Sequence, residues 1–205
     1  MTDPRDRPLD ERDLDPDPLA VYRRWFREAT EAGAFEPEAA ALATATPEGR
    51  PSVRMVLVKG ADERGLAFYT NYASRKGGEL AANPRAAIVF HWPALGRQVR
   101  VEGAVERLPR DESEAYARSR SRASRLSALA SPQSRPVESR EWLERRVAEV
   151  AGRHEGSEIP VQEDWGGYRL VPDAWEFWQH RPTRLHDRFR YLPDGERWRV
   201  ERLGP

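Results

Sequence analysis

The chain has 205 residues, of which 39% are hydrophobic and 33% charged, and its formal net charge is zero. This length suffices for one domain with a substantial apolar core, and the balanced charge gives no reason to expect nucleic-acid binding. No segment approaches the roughly 20 apolar residues of a membrane-spanning helix. Cysteine is absent, which excludes disulfides and thiolate metal sites and is compatible with the cytoplasm, the expected location. The four histidines show no metal-ligand spacing, so no metal site is expected.

The N-terminal segment differs from the rest of the chain. Residues 1–16 are rich in Asp, Arg and Pro and have few apolar side chains, which predicts a disordered tail before a single domain over residues 17–205. A helix follows, with Asp17 as N-cap, Pro18 in the first helical position and Gly33 as the stop.

The remaining pattern is mainly β. Strands are predicted over residues 40–46, 52–59, 65–71, 85–92, 97–108, 167–171, 175–179, 185–192 and 197–203. Helices are predicted after Ser74 and over residues 111–121 and 139–154, and Pro193 to Glu196 joins the last two strands as a hairpin. Many short strands with few flanking helices indicate an antiparallel barrel or sandwich.

Basic residues stand where a short helix begins. Ser74 is a plausible N-cap, which places Arg75 and Lys76 in the first turn, where cations oppose the helix dipole. An anion bound there would remove this penalty, and Gly77 and Gly78 would allow it to approach the backbone. The alternative is a basic cap on an exposed loop.

Two further clusters allow more than one interpretation. Arg54 and Lys59 end a buried strand, and alternation sends them to opposite faces unless a bulge intervenes; they can equally be simple strand-end charges. Tyr116, Arg120 and Ser124 form one stripe of donors suited to a phosphate if the helix continues through them. A solvated basic helix end, or a short arginine–serine tract touching RNA, is the alternative.

The most distinctive segment runs from Trp178 to Arg188. If it is extended from Arg184, the two-residue period places Arg184, His186 and Arg188 on one face, and two guanidiniums beside an imidazole suit a planar anionic ligand. An exposed, charged edge strand is the alternative. Gln98 adds an amide on another strand.

Several motifs together resemble the pyridoxine 5′-phosphate oxidases over nearly all of the chain from Asp13 to Pro205. They are Arg-Met-Val-Leu-Val-Lys at 54–59, Phe-Tyr-Thr-Asn at 68–71, Ser-Arg-Lys at 74–76, Arg-Gln-Val at 97–99, Glu-Phe-Trp-Gln at 176–179 and Arg-Leu-His-Asp-Arg at 184–188. The resemblance implies a homodimeric split β-barrel that binds FMN across its dimer interface. It also implies oxidation of pyridoxine or pyridoxamine 5′-phosphate to pyridoxal 5′-phosphate by O2, with H2O2 as product.

The resemblance assigns residues as well. The implied FMN contacts are Arg54, Met55, Val56, Leu57, Val58, Lys59, Tyr69, Thr70, Arg75, Lys76, Gln98, Gln133, Ser134, Trp178 and Arg188. The implied substrate contacts are Lys59, Tyr116, Arg120, Ser124, Arg184, Leu185 and His186, with Arg184 and His186 placed at the reacting end.

One position departs from the family pattern, because His180 follows the Trp-Gln pair where glycine is common. Two other functions remain open. One is a flavin oxidase of the same fold that acts on another substrate, such as a phenazine precursor. The other is a non-catalytic protein that binds flavin or pyridoxal phosphate.

Overall fold

An antiparallel sheet organises the computed structural model, which describes residue 5 and residues 7–205. Its strands are β1 (Ala39–Ala45), β2 (Pro51–Asp62), β3 (Gly65–Asn71), β4 (Arg85–Trp92), β5 (Arg97–Arg107), β6 (Trp165–Gln179), β7 (Asp187–Asp194) and β8 (Arg197–Arg202). The helices are α1 (Pro18–Glu31), α2 (Arg75–Ala82), α3 (Arg110–Ser119), α4 (Arg122–Ala130) and α5 (Arg140–Arg153).

The sheet closes on itself. The strand order is β3-β2-β1-β4-β5-β6-β7-β8, and β3 also pairs with β6. The first six strands in this order therefore form a closed barrel, and β7 and β8 extend it beyond β6. The predicted class, a mainly β antiparallel split barrel with flanking helices, is confirmed.

Side-chain alternation fills the barrel. Leu42, Ile88 and Phe177 are completely buried, and α1 adds Tyr22 and Trp25 to the same core. The Trp25 and Phe177 rings meet edge to face with centroids 5.3 Å apart. The α1 start is as predicted, with the Asp17 side chain accepting the Leu19 N–H and proline in the first turn.

Strand β6 corrects one prediction. The sequence indicates two strands, 167–171 and 175–179, but β6 is one strand of 15 residues. A register shift against β5 between Glu102 and Gly103 accommodates Pro172, which has no backbone N–H to donate. Gly103 is required there, because a Cβ would lie 1.9 Å from the Val171 carbonyl oxygen.

Ordered contacts reach the N-terminal segment. Leu9 is buried, its N–H donates to Asp187, and Arg202 forms ion pairs with Glu11. Residues 7–16 thus lie against the barrel, which their low apolar content did not indicate. The mobility of residues 1–16 stays a prediction, and residues 1–4 and 6 lie outside the described part of the chain. Among the described residues, no helix is long and apolar enough to cross a membrane.

Candidate active site

A cavity of about 530 Å³ opens between β3 and the α3–α4 pair. It joins residues from both implied sets: four FMN residues and three substrate residues line it, namely Leu57, Tyr69, Thr70 and Gln133, and Tyr116, Arg120 and Ser124. The structure therefore brings four of the fifteen implied FMN residues and three of the seven implied substrate residues to one cavity. Such a volume lies in the range of small-molecule sites.

Stacked aromatic rings form one wall of this cavity. The Tyr69 and Tyr116 rings stack with centroids 3.8 Å apart, and Trp165 lies nearly parallel to Tyr116 at 6.3 Å. The Arg120 guanidinium lies over Trp165, 5.2 Å from the ring centroid. A cation–π contact of this kind orients the guanidinium and leaves its in-plane N–H groups available for an anion.

The Tyr116, Arg120 and Ser124 stripe arises differently from the prediction. The sequence predicts a helix over residues 111–121 and one stripe only if that helix continues to Ser124, but α3 ends at Ser119 and Arg120 is extended, with φ −75° and ψ 152°. Ser121 then caps α4 by accepting the Ser124 N–H. The helix does not continue, because Ser121 begins a new one; the turn nevertheless places all three residues on the same cavity.

A buried ammonium lies beside the cavity. The Lys76 side chain is 9% exposed, and its Nζ donates to Thr70 Oγ1 at 3.1 Å and Gln133 Oε1 at 3.3 Å. Burial lowers the pKa of Lys76, and the nearby Arg54 charge lowers it further. Both of these oxygen partners are uncharged, so an anion would stabilise the ammonium far better. The donor set thus fits a phosphate such as that of FMN.

The Glu79 carboxylate of α2 forms ion pairs with two further cations, Arg54 of β2 and Arg75 of α2. Glu79 accepts from Arg54 at 3.1 Å and from Arg75 Nε at 2.9 Å, and also from Thr44 and Ser52. Burial opposes ionisation of Glu79, but these four hydrogen bonds outweigh it and lower its pKa to about 2. Glu79, which the sequence did not single out, therefore holds Arg75 of the predicted basic pair together with Arg54 of β2, whereas Lys76 bonds to Thr70 and Gln133.

The two glycines of α2 have separate roles. A Cβ on Gly77 would lie 2.2 Å from the Tyr72 carbonyl oxygen, whereas nothing lies within 4 Å of one on Gly78. Gly77 is thus required for packing of the helix, and only Gly78 faces open space. The prediction that both glycines admit a ligand to the backbone does not hold for Gly77, whose missing side chain makes room for Tyr72 instead.

Strand β2 contains the bulge that a shared role for Arg54 and Lys59 requires. The register against β3 shifts between Val58 and Gly60. The side chains nevertheless bind different carboxylates, since Lys59 pairs with Glu38 at 2.8 Å and Arg54 with Glu79. Strand β2 also carries three solvent-exposed apolar residues: Val53, Met55 and Leu57 are 67%, 63% and 38% exposed.

A second group of implied cofactor residues lies elsewhere on the barrel. Gln98 pairs with Trp178, and Trp178 pairs with Arg188, so the three form one row across β5, β6 and β7. Arg188 is fixed by Glu176 at 2.8 Å. On one side of the closed barrel, β1 and β4 lie between β2 and this row. On the other side, Tyr69 of β3 pairs with Gly167, eleven residues before Trp178 in β6, which is about 35 Å along an extended strand. One chain therefore does not bring both groups together.

The loop before β7 corrects the prediction of an extended face. Arg184 has φ +63°, and β7 begins only at Asp187. Arg184, Leu185 and His186 are therefore presented by a turn, and only Arg188 lies in the strand. The His186 ring packs on Trp178 with centroids 4.5 Å apart. Ser134, another implied FMN residue, also has positive φ, +68°, and such strained residues cluster at functional sites.

Some cavity residues were not identified from the sequence. They are Asn71, Ala123, Ser127, Ala128, Ser131 and Trp165. Ser127 and Ser131 continue the helical spacing of Ser124, which is a signal that the sequence offers. Trp165 lies 45 residues after Arg120 in the chain, and no local pattern joins the two.

Comparisons with known proteins agree with this arrangement. The family model "Pyridoxamine 5′-phosphate oxidase" matches residues 26–154, and "Pyridoxine 5′-phosphate oxidase C-terminal dimerisation region" matches residues 165–205. A pyridoxine/pyridoxamine 5′-phosphate oxidase of Rubrobacter xylanophilus is 56% identical over 197 residues, 96% of this chain and 91% of the relative.

Two solved structures extend the comparison. PhzG from Burkholderia lata 383, in complex with tetrahydrophenazine-1-carboxylic acid, has a TM-score of 0.91 at 34% identity, covering 98% of this chain and 99% of that one. A pyridoxamine 5′-phosphate oxidase-related, FMN-binding protein of Nostoc punctiforme has a TM-score of 0.73 at 20% identity, covering 94% and 100%, and shares the fold.

Proposed function

The chain belongs to the pyridoxamine 5′-phosphate oxidase family and uses FMN as its cofactor, and we propose that it oxidises pyridoxine 5′-phosphate and pyridoxamine 5′-phosphate to pyridoxal 5′-phosphate. Oxygen is the electron acceptor and H2O2 the product. The observation that carries this proposal is the cavity in which Tyr116, Arg120 and Ser124 face Thr70 and Gln133, with Lys76 bonded to both of the latter.

FMN is proposed to bind between two copies of the chain. The residues proposed from one copy are Arg54, Met55, Val56, Leu57, Val58, Lys59, Tyr69, Thr70, Arg75, Lys76, Gln133 and Ser134. The row of Gln98, Trp178 and Arg188 would come from the other copy, because it is too distant within one chain. The match to a dimerisation region and the exposed apolar side chains of β2 support this arrangement.

The substrate is proposed to be held at both ends. Tyr116, Arg120 and Ser124 bind its phosphate, with Lys59 nearby on β2. The turn of the other copy, carrying Arg184, Leu185 and His186, contacts the pyridine ring at the reacting end.

Positioning is the main catalytic work of these side chains. When bound, FMN supplies the acceptor for the hydride that leaves the substrate carbon. Arg184 and His186 orient the ring, the stacked aromatic wall excludes water, and the proton of the alcohol or amine leaves to solvent. Correct placement of the reacting atoms accounts for several kcal/mol of barrier lowering in enzymes generally.

One specific observation introduces a second candidate substrate class, the phenazine precursors. The structure of PhzG with tetrahydrophenazine-1-carboxylic acid is similar over almost the whole chain. An enzyme acting on such a tricyclic acid would not need three donors arranged for a phosphate. The Tyr116, Arg120 and Ser124 group therefore favours the phosphorylated vitamers.

The test is incubation of the purified dimer with FMN and pyridoxine 5′-phosphate in air. We expect aldehyde and peroxide in equal amounts and little product from unphosphorylated pyridoxine. FMN binding without turnover of either phosphorylated vitamer would contradict the proposal and indicate a binding protein or a different substrate.

A further inference from the structure

Three rings meet at the turn that joins β6 to β7. His186 packs against Trp178 with centroids 4.5 Å apart and lies 5.5 Å from the His180 ring, while Trp178 and His180 are 6.3 Å apart. His180 directly follows Gln179, the last residue of β6. Its backbone N–H donates to Gly96 at 2.8 Å, so a side chain is not needed to anchor the turn.

The hydrogen bond to His186 determines where its proton lies. The Arg181 backbone N–H donates to His186 Nδ1 at 3.0 Å. An amide N–H can only donate, so Nδ1 must carry a lone pair, and in the neutral ring the hydrogen is on Nε2. The opposite tautomer would set two N–H groups against each other.

We propose that His186 meets the substrate as a neutral imidazole that donates from Nε2, and that His180 is a positioning residue that helps to keep it neutral. This inference rests on the proposed function for the identity of the substrate. A ring that already carries its hydrogen on Nε2 has no lone pair there and cannot accept the substrate's proton at that nitrogen, while Nδ1 faces the Arg181 N–H. His186 is then a donor to an acceptor atom of the substrate, such as the oxygen on the pyridine ring, and the released proton goes to water.

The charges around His186 support a neutral ring. Burial lowers the pKa of His186 below its ordinary 6.5, and His180 and Arg184 lower it further, whereas Asp187 acts in the opposite direction. Asp187 is engaged elsewhere, since its oxygens pair with Arg202 at 3.1 Å and accept the Leu9 N–H at 3.1 Å. Its Oδ2 also lies 3.8 Å from Arg181 Nε. Burial, together with the charge of Arg184, therefore prevails over the single carboxylate.

The tautomer can be read directly by nuclear magnetic resonance. Long-range 1H–15N spectra of the FMN-bound dimer, labelled at histidine and free of substrate, distinguish protonated from unprotonated ring nitrogens, and His186→Asn identifies the signals. We expect Nε2 protonated and Nδ1 unprotonated at pH 8, with the ring still mainly neutral at pH 6.5. A proton on Nδ1 at pH 8, or a mainly charged ring at pH 6.5, would overturn the donor role.

His180→Phe tests the second half of the proposal, because it keeps an aromatic ring 5.5 Å from His186 and removes the imidazole nitrogens. We expect the titration midpoint of His186 to rise by roughly half a pH unit, which is about a threefold change in its protonation equilibrium. The acid limb of the kcat/KM profile should move upward by the same amount. His154→Phe, at the end of α5, is the matched control and should shift neither.

Unchanged midpoints in His180→Phe would overturn the role of His180. The resonance measurements contain no substrate, so they stand or fall separately from the proposed oxidation. A dimer that shows the expected tautomer but does not oxidise pyridoxine 5′-phosphate would contradict the proposed function and leave the tautomer assignment intact.

Discussion

Lys76 is the residue whose surroundings most clearly require an anion. It is buried, and its nearest oxygens belong to the uncharged Thr70 and Gln133. The sequence could place Lys76 in the first turn of a helix and so suggest an anion. It could not indicate burial or the contact with Gln133, which lies 57 residues away in the chain.

Lys76→Met should weaken FMN binding without lowering the thermal stability of the apoprotein. FMN should bind about 10- to 150-fold more weakly, because one charge-assisted hydrogen bond of about 1.5–3 kcal/mol is lost. The apoprotein should melt no lower than the wild type, since a buried ammonium is costly. Calorimetric FMN titration and thermal unfolding measure the two effects, with exposed Arg140→Ala as control. An unchanged FMN affinity would remove Lys76 from the phosphate site.

Arg120→Ala should act on substrate affinity more than on turnover. A contact with a remote phosphate is made about equally in the ground and transition states, so KM should rise while kcat changes little. Discrimination against unphosphorylated pyridoxine should shrink. Steady-state kinetics of both compounds provide the measurement, and Arg118→Ala, which pairs with Glu114 on the same helix, is the control. If Arg120→Ala still discriminated fully between pyridoxine 5′-phosphate and pyridoxine, the guanidinium would not bind the substrate phosphate.

At the level of elements, α2 offers a matched pair of substitutions. Gly77→Ala should destabilise the protein, because its Cβ would lie 2.2 Å from the Tyr72 carbonyl oxygen. Gly78→Ala should raise the free energy of unfolding of the apoprotein by about 0.5–1 kcal/mol, since alanine loses less entropy in a helix. Denaturant unfolding compares the two. Equal effects would contradict the packing of α2 described above.

The barrel strands were readable from the sequence because alternation and turn residues are local signals. The predicted boundaries of helices and strands failed where one residue supports two different local structures. Ser121 can continue a helix or cap a new one, and the cap prevails. The stretch around Pro172 suggests an interruption, yet the bulge against Gly103 keeps β6 continuous. The positive φ of Arg184 has no signature in that side chain, so the extended face was a reasonable but wrong expectation.

On the scale of the whole molecule, the two implied residue groups lie on different parts of one barrel. The β2 strand and the Gln98, Trp178 and Arg188 row are separated by β1 and β4 on one side of the barrel, and on the other side β3 pairs with the opposite end of β6 from Trp178. The sequence alone gives no distance between such groups, and only the strand order together with the β3–β6 register shows that a single chain leaves them apart. A site completed by a second copy follows from this separation.

Subunit complementation tests that arrangement. Arg120→Ala and Arg184→Ala damage different groups, so a mixed dimer isolated with two tags contains one intact site and one doubly damaged site. At substrate concentrations well below KM, where both homodimeric variants are impaired, we expect about half of the wild-type activity per dimer, as two-fold symmetry requires. Activity no higher than that of the two homodimeric variants would show that each site is built from one chain.

The most direct measurement of the central claim is a single turnover without oxygen. The FMN-bound dimer is mixed with pyridoxine 5′-phosphate, pyridoxamine 5′-phosphate or a tetrahydrophenazine carboxylic acid, and the flavin absorbance is followed by stopped flow. Rapid bleaching by the two phosphorylated vitamers, with one aldehyde formed per flavin, is the result we predict. Bleaching by the phenazine compound alone, or by none of the three, would contradict it.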